Sequence, residues 1–306
     1  MVARLVGGSG RPQPQAVRRA ESVSPLDALP TFAHLYGSTE LEMLPTTEQM
    51  TAAWIVGEPD AAPLGALGLR STPAHGSEVM GGALPGPEQQ GAALALLQAA
   101  LGTEPRLYAY AEEHLWPLAA LQAAGLRPVG AYARLSGPVP GGEVLVPEGF
   151  RLVPISEASA ADILAAQRAY EHRIGHTHVT PEAAELITER NDLALSRLAY
   201  DATRQAVGLC WAQLYGGLAA VDSPAVCPDL SGSGLREALL RSVCAAVAQA
   251  GAVHLTLESW GDTERERAHD LSLGLEVEEL NVMYGTGANQ QQVDADDVFA
   301  QETRLL

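Results

Sequence analysis

Pro228-Asp229-Leu230-Ser231-Gly232-Ser233-Gly234 and Pro87-Glu88-Gln89-Gln90-Gly91-Ala92-Ala93 carry one pattern, Pro-x-x-x-Gly-x-small, each time between an apolar strand-like stretch and an amphipathic helix. Small residues where a strand turns into a helix let a ligand approach the backbone closely. The unpaired N–H groups of the helix's first turn then face outward as donors for an anion such as a pyrophosphate.

Working outward, both loops sit in the same order of elements. In the first half, strands over 64–69 and 78–84 precede the loop 85–90, a helix 91–101, a strand 106–111, a helix 114–124 ended by Gly125-Leu126, and a strand 129–136. In the second half the series is 206–215, 218–226, loop 227–231, helix 232–250, strand 253–258, helix 263–272 ended by Gly274-Leu275, and strand 278–284. Pro87 and Pro228, like Gly125 and Gly274, are separated by close to half of the 306-residue chain, so the pattern predicts an internal duplication. The Gly/Pro run Ser136–Gly142 is the natural break. The expected organisation is a tail or edge strand over 1–20, an N-terminal domain over 21–138, a linker over 139–149, a C-terminal domain over 150–285 and a polar tail over 286–306.

With 47% hydrophobic and 18% charged residues, the chain can close a core and is not a disordered polyelectrolyte. All 19 basic residues are Arg against 37 acidic ones, a formal charge of −18. The absence of lysine excludes Schiff-base chemistry and the lysine phosphate loop, and the acidic balance argues against nucleic acid as a partner. Three cysteines, none in a C-x-x-C pair, suit a reducing cytoplasm. Residues 1–20 contain no continuous apolar run of the kind a signal peptide or membrane span needs, so a soluble protein, monomer or homodimer, is expected.

Taken together, strand, Pro-x-x-x-Gly-x-Gly/Ala loop, long helix, strand, helix ending in Gly-Leu and closing strand resemble the GNAT N-acetyltransferases, here as two units in tandem. The resemblance implies an α/β (α+β) fold, each unit a mixed twisted sheet flanked by helices, with acetyl-CoA as co-substrate. It implies Val226 and Cys227 beside the pantetheine, and Ser231, Gly232, Ser233, Gly234 and Leu235 around the phosphates. Gln90, Gly91, Ala92 and Ala93 would correspond in the first unit. The sequence departs from the family in placing Ser231 and Ser233, or Gln90 and Ala92, where Arg, Gln or another basic residue is usual. It also has Leu121 and Asp270 where many relatives have a Tyr that protonates the departing thiolate. A lost charge-assisted contact is worth about 1.5 to 3 kcal/mol, so one of the two units is expected to be degenerate.

Acyl transfer to an amine needs a group that takes the amine's proton. Glu258 at the end of its strand and Asp222 on the strand before the loop can reach the cleft; the plainer alternatives are a helix cap for Glu258 and a solvent-facing strand position for Asp222. Tyr170, His172 and His176, with His178, cluster where this fold usually builds its acceptor wall. Gly175 interrupts the helix between His172 and His176, and no Cys lies nearby, so no metal site is expected. The negative surface favours a cationic small-molecule amine over an anionic partner. The longer helix and more glycine-rich loop favour the second unit. The expected function is acetyl transfer from acetyl-CoA to a small amine by direct attack; the alternative is a non-catalytic sensor or scaffold retaining a duplicated CoA-binding fold.

Overall fold

The computed structural model describes residues 19–58, 61–112 and 114–286, so nearly all of both expected tails lies outside the described residues. The first half runs β1 (Glu21–Val23), α1 (Pro25–Leu35), α2 (Glu40–Glu48), β2 (Met50–Val56), β3 (Gly65–Thr72), β4 (Gly76–Ala83), α3 (Gln89–Leu101), β5 (Leu107–Tyr110), α4 (Leu118–Ala123) and β6 (Arg127–Pro138). The second runs β7 (Arg151–Pro154), α5 (Ala160–Gln167), α6 (Pro181–Arg190), β8 (Arg197–Tyr200), β9 (Ala206–Cys210), β10 (Ala212–Tyr215), β11 (Leu218–Asp222), β12 (Ala225–Val226), α7 (Leu235–Gln249), β13 (His254–Trp260), α8 (Glu264–Ser272) and β14 (Glu276–Gly285). Residues 139–150 between them hold no helix or strand.

Local chemistry sets these boundaries. Thr39 with Glu42 and Thr263 with Glu266 form reciprocal capping boxes at the starts of α2 and α8. Past α4 and α8 the chain turns at Gly125 and Gly274, whose φ of +85° and +91° only glycine adopts freely. Three elements differ from the sequence reading. Pro117 holds the N-cap of α4, so that helix starts at Leu118 and not at His114. The expected strand 206–215 breaks at Trp211, and the strand 218–226 breaks at Ser223-Pro224, where proline has no N–H to give a ladder.

A ten-stranded sheet runs through the molecule in the order β1-β2-β3-β4-β5-β14-β6-β13-β11-β10, and a smaller sheet in the order β12-β9-β8-β7 lies in the second half. The closing strands are exchanged: β14 of the second half pairs with both β5 and β6 of the first, and β6 pairs with β13 of the second. Each half thus obtains a central strand from the other. The exchange reaches the cores. Leu135 on β6 is fully buried among Leu239, Val243, Leu255 and Leu257 of the second half, while Tyr284 on β14 packs into the first-half core with Phe32, Leu67 and Leu96.

Because neither half can complete its sheet alone, both are expected to unfold together. Leu135→Ala should cost about 2–5 kcal/mol, and native-state hydrogen exchange should show protection falling in β3 and α7 alike. Loss of protection confined to the first half would contradict the exchange.

Candidate functional site

The second half opens where two parallel strands part. β11 and β13 pair from Leu218↔His254 to Asp222↔Glu258, and Ser223 N donates to Glu258 O at 2.7 Å. Pro224 then ends the ladder and β12 turns to pair with β9, while β13 continues along β6. On β12, Ala225 faces Leu209 and Cys227 N donates to Val207 O at 2.9 Å, so the alternation of an antiparallel ladder turns the N–H and C=O of Val226 away from β9 toward the gap.

Next to this edge stands the Ser231–Gly234 loop. The amides of Ser231 and Ser233 turn inward, to Pro228 O and Leu230 O at 3.1 Å each, and Leu235 N donates to Ser233 Oγ at 3.3 Å. Gly232 and Gly234 have φ of +81° and +84°. Among the described residues their amides donate to no protein acceptor, and a Cβ on Gly232 would meet nothing within 4 Å. The loop leads into the free N-terminus of the 15-residue α7.

The first half closes the corresponding groove with its own chain. Gln90, Gly91, Ala92 and Ala93 all lie inside α3, which starts at Gln89; Ala92 N is bonded to Glu88 O at 2.9 Å, and Ala92 and Ala93 are fully buried. Ala83 N, at the end of β4, donates to Leu115 O at 3.0 Å, and Gln89 Nε2 donates to both Ala83 O at 3.2 Å and His114 O at 2.9 Å. Leu115 and Trp116 are buried in the gap.

Where these strands part, the second half also has a cavity of about 360 Å³ whose walls include Asp222, Glu258, Tyr170, His176, Trp211 and Trp260. Asp222 is reached by water but crowded by protein; burial first, and the charge of Glu258 second, raise its carboxyl to about 6. Burial, with Arg173 adding to it, lowers His176 to about 4, so the imidazole is neutral at pH 7. Tyr170 donates to Ser223 O at 2.9 Å, and its ring lies 5.0 Å from that of His176. His172 is exposed and outside the cavity walls.

Beneath the gap lies a charge cluster that the sequence reading did not identify. Arg236 on α7 donates to Asp270 at 2.9 and 2.7 Å, to Asp262 at 2.9 Å and to Ser223 Oγ at 2.9 Å, and Arg173 also bonds Asp262. Burial alone would raise Asp262, but the two guanidiniums hold it well below the usual carboxylate range. Asp270, at the position of the family's tyrosine, is thus wholly buried and fastens α8 to α7; its counterpart Leu121 is core. The signal was present: Arg236 stands on the apolar stripe with Leu239, Leu240, Val243 and Val247.

The first half also holds the second half's cavity wall. Gly175 N donates to Tyr108 Oη at 3.2 Å, a Cβ on Gly175 would come within 2.8 Å of Tyr110 Oη, and His75 Nε2 donates to His172 O at 2.9 Å. Ile174 is buried with Tyr108, Tyr132 and Met283. Tyr108→Phe should loosen this loop and raise the His176 titration from about 4 toward its ordinary 6.5, followed by NMR. Tyr36→Phe, which removes a similar bond from Gly81 N at 2.8 Å elsewhere in the first half, should leave it unchanged.

Asp222 gives a second expectation. The folded chain holds its proton more tightly than the unfolded one, so this group's contribution falls as pH rises from the ordinary 3.8 through about 6. Asp222→Asn should match the parent in Tm near pH 4 and exceed it above pH 6, by roughly 2 °C after screening by the water that reaches the group. Equal Tm values at pH 7.5 would count against the raised titration.

Among the described residues no group of three or more His, Cys, Asp or Glu side chains is arranged to hold a metal, and no helix is long and apolar enough to cross a membrane. No family model matches the sequence, and no curated protein matches it. Similar solved structures include a probable N-acyltransferase from Enterococcus faecalis, 11% identical, with a TM-score of 0.52 over 88% of this chain and 72% of that one. A GCN5-related N-acetyltransferase from Kribbella flavida is 17% identical, with a TM-score of 0.50 over 88% and 71%. A tandem GNAT protein from the clavulanic acid biosynthesis pathway is 17% identical, with a TM-score of 0.45 over 89% and 100%. The chain has the fold of the GCN5-related N-acetyltransferases.

Proposed function

We propose that this chain is an acetyltransferase that moves an acetyl group from acetyl-CoA to the amine of a small molecule, with the second half carrying the reaction and the first half as its degenerate, supporting partner. The observation that carries this is the contrast between the two grooves. Val226's backbone turns away from β9 and the Gly232 and Gly234 amides have no protein acceptor among the described residues, whereas Ala83 is bonded to Leu115 and Gln89. The free amides suit a diphosphate, and the Val226 edge suits the amides of a pantetheine arm. Arg236 at the start of α7 does not strengthen the cradle, because it is turned inward to Asp262 and Asp270.

Acetyl-CoA supplies an activated thioester. The residues of this chain handle the amine. Asp222 and Glu258 attract it as an ammonium, and Asp222, ionised above about 6, takes its proton directly or through water. The nitrogen then forms the new C–N bond, the C–S bond breaks, and the second proton shed by the nitrogen ends on the departing sulfur, so that the products are the amide and the free thiol. Activity should therefore rise with pH through about 6. A sensor that binds the cofactor without turnover is the second reading, favoured by Asp270 being locked in a buried ion pair where a proton donor would stand. The three cysteines are free, in keeping with a reducing cytoplasm.

A thermal-shift titration with acetyl-CoA tests binding, since ligand at 100 times its Kd stabilises by about 2.7 kcal/mol. Ser233→Asp should abolish the shift without loss of stability: the carboxylate still accepts from Leu235 N and suits the helix N-terminus, yet repels a diphosphate. No shift at millimolar acetyl-CoA, or the same shift in Ser233→Asp, would refute the assignment. Release of free CoA with amines separates enzyme from sensor.

A further inference from the structure

Ser223 is 2% exposed, and every polar atom it carries is engaged. Its N–H donates to Glu258 O at 2.7 Å, and its C=O accepts from Tyr170 Oη at 2.9 Å. Its hydroxyl donates to Asp262 Oδ2 at 2.6 Å and accepts from Arg236 Nη2 at 2.9 Å and Arg173 Nη1 at 3.3 Å. A serine hydroxyl has one donor and two acceptor positions, so this one is saturated. Three parts of the second half meet on a single residue: β13 with the loop after it, the stretch that follows α5, and α7.

The place of this residue in the chain makes the bonding consequential. Asp222, directly before it, stands opposite Glu258 in the last register pair of β11 and β13, and the Ser223 N–H closes that ladder. Pro224, directly after it, has no N–H with which to hold the bend, and Val226 follows two residues later on the strand that has turned to β9. The proposed proton acceptor and the proposed cofactor edge are therefore joined through one short bend. Tyr170 lines the cavity, as the sequence reading expected of an acceptor wall, but its donor hydrogen is committed to Ser223 O. A buried carbonyl stripped of its donor is costly, so removing that hydroxyl should let the bend relax or admit water.

We propose that Ser223 and Tyr170 are positioning residues that together set the Asp222–Glu258 pair and the Val226 edge relative to one another. Both act through the bend, and neither needs contact with a reacting atom. The proposal deepens the transfer reaction and rests on it for the roles of Asp222 and Val226. Around Asp222 the titratable and charged groups are Glu258 across the strand pair, Tyr170, Cys210 on β9, and Arg173 and His176 of the cavity wall.

Tyr170→Phe and Ser223→Ala in the full chain are compared with the parent and with Thr47→Val, which removes a buried hydroxyl bonded to Met43 O at 2.9 Å in the first half. The Asp222 carboxyl is titrated by NMR, and acetyl-CoA affinity is measured by calorimetry. Water entering the relaxed bend should move the titration down from about 6 toward 3.8, by roughly half a pH unit or more. The acetyl-CoA Kd should rise about tenfold, the equivalent of one lost buried hydrogen bond. Thr47→Val should lower Tm and move neither. Should Ser223→Ala fail to fold, Tyr170→Phe decides. An unmoved titration, an unmoved Kd beside a shifted titration, or the same changes in Thr47→Val would overturn the proposal. A parent chain that binds no acetyl-CoA would sink the transfer reaction by itself. Hydrogen exchange at Cys227 N–H, bonded to Val207 O at 2.9 Å, then takes the place of Kd, with faster exchange expected in both variants and unchanged exchange overturning the role of the bend.

Discussion

Two guanidiniums set against one buried carboxylate fix the point where β11 and β13 separate. Asp262 follows β13 directly, and its bonds to Arg173, Arg236 and Ser223 tie the loop after β13, the start of α7 and the bend after β11 to a single centre. Removing one member of such a buried set typically costs about 3–5 kcal/mol, because the others are left charged in a poor solvent. The cluster also links the glycine loop to the cavity. Arg236 comes from the helix that begins at the open glycine loop, and Arg173 lines the cavity. The spacing between the glycine loop and the cavity is thereby held by charge, where a purely apolar contact would leave it free to slide.

Strand exchange extends this rigidity across the chain. With β14 between β5 and β6, and β6 between β14 and β13, Ile174 and Gly175, which lie between the cavity residues Arg173 and His176, pack on tyrosines of the first half. A half whose own groove is filled by Leu115 and Trp116 still has a physical role, because Tyr108 and His75 restrain the segment that carries His176.

The order of elements was legible because periodicity and punctuation are local: Gly125 and Gly274 end their helices, and Gly232 and Gly234 mark the loop before α7. Asp222, Glu258, Tyr170 and His176 could be drawn to one cavity from their places relative to the parting strands. Three things could not be read this way. Which strand neighbours β6 depends on pairing between distant segments, and β14 carries no local mark of the half it will join. Residues 114–117 look helical until Pro117 delays α4, which frees Leu115 to fill the groove. Arg236 was visible as a cation on an apolar stripe, but its acidic partners lie 26 and 34 residues away.

The same position carries a different electrostatic arrangement in the two halves. The last parallel pair in the first half is Glu78↔Tyr108, and in the second it is Asp222↔Glu258. Glu78 is buried and neutralised by Arg70 at 2.6 Å. Among the described residues no cation pairs with Asp222; crowding by protein first, and the facing Glu258 carboxylate second, disfavour its ionised form. Nothing in folding requires this: an arginine on the adjoining strand would relieve the repulsion, as Arg70 does. A chain that resolves the conflict on one side and keeps it on the other retains a carboxylate whose proton exchanges near neutral pH. Such a group costs stability in the free protein once ionised, and becomes favourable when a cation is bound beside it.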